Sequence, residues 1–157
     1  MENQENRLQE EGWIEPSRIL NKDMFFYFLD LEVKRARRYQ NFLCLLLLRI
    51  KQLSEDQNGW SFETCYETLS DLLTVEMRES DILGSIGENQ LVVLLPYADE
   101  YAGYHAKSRF LSTLKYFDFR GKGYEVMTDQ ICFPKNGTDA MDLIMDLIKK
   151  ALGTETT

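Results

Sequence analysis

The chain has 157 residues, 44% of them hydrophobic and 28% charged, which suits one globular domain with a sizeable core and makes a second domain improbable. Its net charge of −8 argues against general nucleic-acid or anionic-membrane binding, although a local basic pocket is still allowed. The longest apolar run, Phe42 to Leu48, is too short to cross a bilayer, and the polar, acidic stretch from Met1 to Glu11 does not read as a signal peptide.

In chain order, residues 1–15 form a polar lead. Asn21 is placed to cap a helix running to about Arg38, with Phe25, Phe28, Leu29, Leu31 and Val33 near helical spacing. Phe25 to Phe28 is more aromatic surface than one helix face can bury, and Lys34 to Arg38 is a basic helix end favoured by the helix dipole. Phe42 to Ile50 is a continuous apolar run, the signature of a strand buried on both faces. Gln57-Asn58-Gly59 signals a turn. Ser61 to Glu79 reads as a second helix, with Cys65, Leu69, Leu72 and Leu73 on one side. Ile82 to Ile86 and Gln90 to Leu95 are short strands joined as a hairpin. Ala98 to Tyr116 is a third helix, Tyr124 to Phe133 a further strand, and Thr138 to Leu152 an amphipathic last helix. Strands alternating with helices predict a layered α/β sheet flanked by helices, which the hairpin makes mixed.

Cys44, Cys65 and Cys132 are far apart, lack CxxC spacing and lie among apolar residues. Buried thiols in a reducing cytoplasm are the expectation. The lone His105 has no ligand cluster around it, and Trp13 and Trp60 read as packing residues.

Two motifs stand close together. Arg78-Glu79-Ser80-Asp81 reads RxxD, and after five further residues comes Gly87-Glu88-Asn89-Gln90-Leu91, then Val92 to Leu95 and Pro96. This layout resembles the GGDEF domain of bacterial diguanylate cyclases, in which an RxxD pair that binds the product cyclic di-GMP precedes a catalytic GG(D/E)EF turn by the same interval. The resemblance runs from about Pro16 to Leu152, leaving residues 153–157 as a tail. Ile19-Leu20-Asn21-Lys22 with Phe25 is similar to the opening LxNR segment, Val33 to Tyr39 to the RARR stretch, and Phe133-Pro134-Lys135-Asn136-Gly137 to the late P-x-D-G. It implies an α/β (α+β) fold with a mixed central sheet of about five strands.

The departures bear on function. The family's two divalent cations are held by an aspartate at the end of the first strand and by the acid third in the turn. Those positions are Arg49 and Asn89 here. Such ions need hard anionic oxygens, and a guanidinium repels them. Gln90 replaces a glutamate, and Glu88 replaces a glycine whose place lets backbone approach phosphate. Leu53 to Glu63 matches neither of the family's guanine-binding stretches, leaving Glu63 or Glu67 as weak substitutes, and the last helix lacks the phosphate lysine. The resemblance therefore implies no metal, no cofactor and no cyclase activity. It implies a receptor for cyclic di-GMP at Arg78 and Asp81, joined by Arg109, 28 positions beyond Asp81 at the family's offset for a third binding residue. Arginine can fork onto the O6/N7 edge of guanine or onto phosphate, and aspartate can accept guanine N–H groups. The alternative is a ligand-independent scaffold for a protein partner or a homodimer. An Arg and Asp three apart are often no more than a surface ion pair.

Overall fold

The computed structural model describes residues 19–53 and 59–153. Gln57 and Asn58 of the expected turn, Trp13 and the polar lead lie outside these residues. The elements are α1 (Lys22–Arg38), β1 (Leu43–Gln52), α2 (Phe62–Glu76), β2 (Ile82–Gly87), β3 (Gln90–Pro96), α3 (Glu100–Tyr116), a short 3₁₀ turn (Arg120–Lys122), β4 (Tyr124–Phe133) and α4 (Ala140–Ala151). All four described helices begin on a capping side chain. Asn21, Ser61, Asp99 and Asp139 each accept the amide proton three residues on, which satisfies an N–H that the helix leaves without a partner. The caps explain why α3 and α4 start two residues after the expected points.

The sheet order is β2-β3-β1-β4. Each neighbouring pair is antiparallel. One sequence expectation is corrected here. Among the described residues the sheet has four strands, in rough agreement with the expected five, but its named strands form no parallel pair where the hairpin was expected to make the sheet mixed. The reason is topological. The α2 crossover makes β1 and β2 point the same way, but the tight hairpin returns β3 between them. The parallel component is one bridge, Leu20 to Gly84, where Leu20 N–H donates to Leu83 O (2.9 Å) and Ser85 N–H to Leu20 O (2.9 Å). The βαββαβ order is that of a split βαβ sandwich.

Two apolar cores follow from the period-2 alternation of β1. Cys44, Leu46, Leu48 and Ile50 pack under α2 and α3 with Cys65, Leu69, Leu73, Ala106 and Phe110. Leu43, Leu45 and Leu47 pack under α1 and α4 with Phe25, Leu29, Val33, Leu143 and Leu147. β1 is therefore apolar throughout because both of its faces are covered, as its sequence predicts. At Gly84 the backbone lies so close to α1 that a Cβ would come within 2.5 Å of the Phe25 ring. Of the α1 aromatics, Phe25 is fully buried and Tyr27 is exposed. Trp60 packs edge-on against Phe119. Among the described residues no helix is long and apolar enough to cross a membrane.

Candidate functional site

The two motifs occupy opposite ends of β2. At its start, α2 ends at Glu76, three residues sooner than expected, and Arg78 to Asp81 form a turn. Asp81 shapes that turn twice over. Its Oδ2 accepts the Arg78 amide proton (2.8 Å), and its own N–H donates to the Arg78 carbonyl (3.0 Å). Asp81 is buried, and desolvation raises its pKa above the usual carboxylate value despite the amide bond and the nearby charges of Arg78 and Arg109. The Arg78 side chain is exposed and makes no ion pair among the described residues. It lines a cavity of about 640 Å³ with Leu20, Phe28, Thr74, Met77, Asp81 and Leu83 among its neighbours, within the usual size range of small-molecule sites.

Arg109 stands close enough for its charge to act on Asp81, yet it lies outside the cavity wall. Its Nε is 3.9 Å from Glu76 Oε2, and its side chain is 46% exposed. Thr113 donates to the other Glu76 oxygen (3.1 Å). Phe28 and Met77 as cavity walls were invisible to motif reading, because their place depends on how α1 meets the α2–β2 turn.

At the far end of β2, Gly87, Glu88, Asn89, Gln90 and Leu91 make the hairpin, and the Asn89 and Gln90 side chains are committed to backbone. Asn89 Nδ2 donates to Ile50 O (3.0 Å) while Ile50 N–H donates to Asn89 O (2.9 Å). Gln90 Nε2 donates to Ala151 O (2.9 Å), meeting a free carbonyl at the end of α4. Glu88 is exposed and Leu91 fully buried. Arg49 pairs with Asp129 (3.2 Å) and is 21% exposed. Among the described residues no three His, Cys, Asp or Glu side chains converge as a metal site would require. The turn thus fastens β3 to β1 and α4, with a guanidinium beside it.

No family model matches the sequence, and no curated protein matches it. Solved structures do. A diguanylate cyclase (DGC) protein of Thermotoga maritima matches with a TM-score of 0.71 at 17% identity, over 85% of this chain and 95% of that one. The diguanylate cyclase SiaD of Pseudomonas aeruginosa, in complex with its activator SiaC, matches with a TM-score of 0.72 at 17% identity, over 98% of this chain and 62% of that one. The GGDEF domain of DgcB from Caulobacter crescentus, in complex with c-di-GMP, matches with a TM-score of 0.68 at 10% identity, over 87% of this chain and 82% of that one. A likeness of this extent at such low identity establishes architecture, and the architecture of this chain is that of the GGDEF domains.

Proposed function

We propose that this chain is a GGDEF-fold module without cyclase activity that binds cyclic di-GMP through Arg78 and Asp81, with Arg109 alongside, and relays the signal to a protein partner. The observation that carries this reading is the contrast between the two ends of β2. At one end an exposed, unpaired guanidinium borders a cavity and is held by a turn built on its own partner aspartate. At the other, the residues standing where acids would hold metal are tied to backbone or are cationic. A free arginine can meet a guanine edge or a phosphodiester in a bidentate manner, worth about 1–3 kcal/mol per good base contact. Micromolar affinity needs about −8 kcal/mol, which Arg78, Arg109 and stacked guanines can supply together once Arg109 exchanges Glu76 for ligand. The DgcB domain, of the same fold, is known in complex with c-di-GMP, and SiaD of the same fold has a protein activator.

Calorimetric titration of cyclic di-GMP into wild type and Arg78→Ala tests this, with GTP as the control. Micromolar binding that the variant loses is the expected result, and silence in the wild type at tens of micromolar ligand overturns it. A ligand-independent docking scaffold is the second reading. It is favoured by the engagement of Asp81 in its turn and of Arg109 with Glu76, both of which are satisfied without a ligand. Under that reading partner binding survives Arg78→Ala unchanged.

A further inference from the structure

A second polar cluster lies at the end of the sheet where β1 begins and β4 ends, away from the hairpin. The register sets Cys44 directly opposite Cys132, and their sulfurs are 2.7 Å apart as free thiols. The backbone pattern identifies the type of pair. Ile50 N–H turns toward β3, and so by alternation do those of the other even-numbered β1 residues. The Cys132 N–H donates instead to Asn136 Oδ1 (2.7 Å). Cys44 and Cys132 are therefore a non-hydrogen-bonded cross-strand pair, the class with Cα atoms about 4.5 Å apart and side chains closest. That spacing falls inside the range a disulfide spans, about 4.4–6.8 Å.

The surroundings differ from those of an inert buried thiol. Cys132 lines an open cavity of about 920 Å³ together with Phe42, Tyr101, Gln130, Pro134 and Lys135. Gln130 Nε2 donates to the Cys132 sulfur (3.2 Å), and the Cys44 thiol is 3.3 Å from the Asp99 carbonyl. Hydrogen bonds from Cys44 and Gln130 lower the Cys132 pKa, whereas its bond to Cys132 and burial raise that of Cys44. Cys132, the sulfur that lines the cavity, is thus the one placed to react as a thiolate, with the Cys44 sulfur beside it. Among the described residues Cys65 has no sulfur partner and does not line this cavity, and burial pushes its pKa up to about 11.

We propose that Cys44 and Cys132 form a peroxide-responsive dithiol whose oxidised state is a reversible β1–β4 disulfide. The Cys132 thiolate attacks the O–O bond of a hydroperoxide reaching it through the cavity, giving the Cys132 sulfenic acid and releasing the alcohol, or water from hydrogen peroxide. The Cys44 sulfur then attacks the sulfenic sulfur. The S–S bond forms, the S–O bond breaks, and the oxygen leaves as water with the Cys44 proton. Two thiols and one hydroperoxide yield one disulfide, one alcohol and one water, with the hydroperoxide as the two-electron oxidant. A partner sulfur this close favours disulfide formation over further oxidation to sulfinic acid.

The test uses the full chain, reduced and then exposed to a slight molar excess of hydrogen peroxide. Intact-mass analysis should show the loss of two hydrogens, a peptide crosslink joining Cys44 to Cys132, and full reversal by dithiothreitol. Cys65→Ser should leave this unchanged. Cys44→Ser should stop at a sulfenic acid on Cys132 that dimedone traps. The wild-type measurement needs no variant to fold. A wild-type protein that keeps all three thiols, or one in which Cys65 reacts at least as fast as Cys132, overturns the proposal.

Discussion

The Asp81 carboxylate is buried, yet it accepts the Arg78 amide proton. Replacing it with alanine leaves that N–H without its acceptor, and we expect a loss of about 1–2 kcal/mol in urea unfolding. Its raised pKa has a defined sign. A carboxyl whose folded pKa lies above its unfolded one favours folding when protonated. The contribution is fully present below the ordinary aspartate value, about 3.9, and is lost as pH rises through the raised folded value. Asp81→Asn keeps an acceptor for Arg78 but does not titrate. The stability of wild type relative to that variant should therefore fall as pH rises from about 4 and then level off, as urea midpoints across that range will show. Asn89 gives a sharper case. Asn89→Asp removes the donor to Ile50 O and sets a carboxylate against a carbonyl. We expect destabilisation of about 1–3 kcal/mol, read from the thermal midpoint, and no cyclic di-GMP formed from GTP and magnesium in a chromatographic assay. By resemblance, motif reading set Asn89 and Gln90 where the GGDEF turn carries acids. It could not reveal that these two side chains tie the hairpin to β1 and α4, because Asn89 and Ile50, or Gln90 and Ala151, meet only through the fold.

The periodicity of the elements was largely legible. β4 has the expected bounds, Asn21 caps α1 as its residue type suggests, and the twofold-buried β1 follows from its unbroken apolar run. Register was not legible. Cys44 lies 88 residues from Cys132 and Arg49 lies 80 from Asp129, and no local propensity encodes which strand residues face each other. The strand count inferred by resemblance, about five, is close to the four described strands, beside which Leu20 meets β2 through one bridge rather than a ladder. Gly84 illustrates an element-scale constraint that spacing alone conceals. A methyl there collides with the fully buried Phe25 ring. Gly84→Ala should cost about 1–3 kcal/mol by overpacking, measurable as a lower urea midpoint with an unchanged slope.

At the scale of the molecule, β1 belongs to both cores, so neither core can be lost alone. Leu46 points into one and Leu47 into the other, and both are fully buried. Leu46→Ala and Leu47→Ala should each cost about 2–5 kcal/mol. Fluorescence and circular dichroism should still report one coincident unfolding transition in each variant. Separate transitions would mean that the two faces unfold independently.

The margins of the sheet carry a consequence for assembly. Along β2 the chain's own Leu20 backbone already occupies part of the border. Along β4, the Tyr124 N–H is taken by Phe119 O (3.0 Å) and the Cys132 N–H by the Asn136 side chain. Of the outward-facing β4 amides, this leaves those of Val126, Thr128 and Gln130 between two occupied ends. Because such amides fall on every second residue, these three span Val126 to Gln130, about the length of a usual strand. Among the described residues, the middle of β4 is therefore the border along which a visiting chain would find main chain on which to extend this sheet.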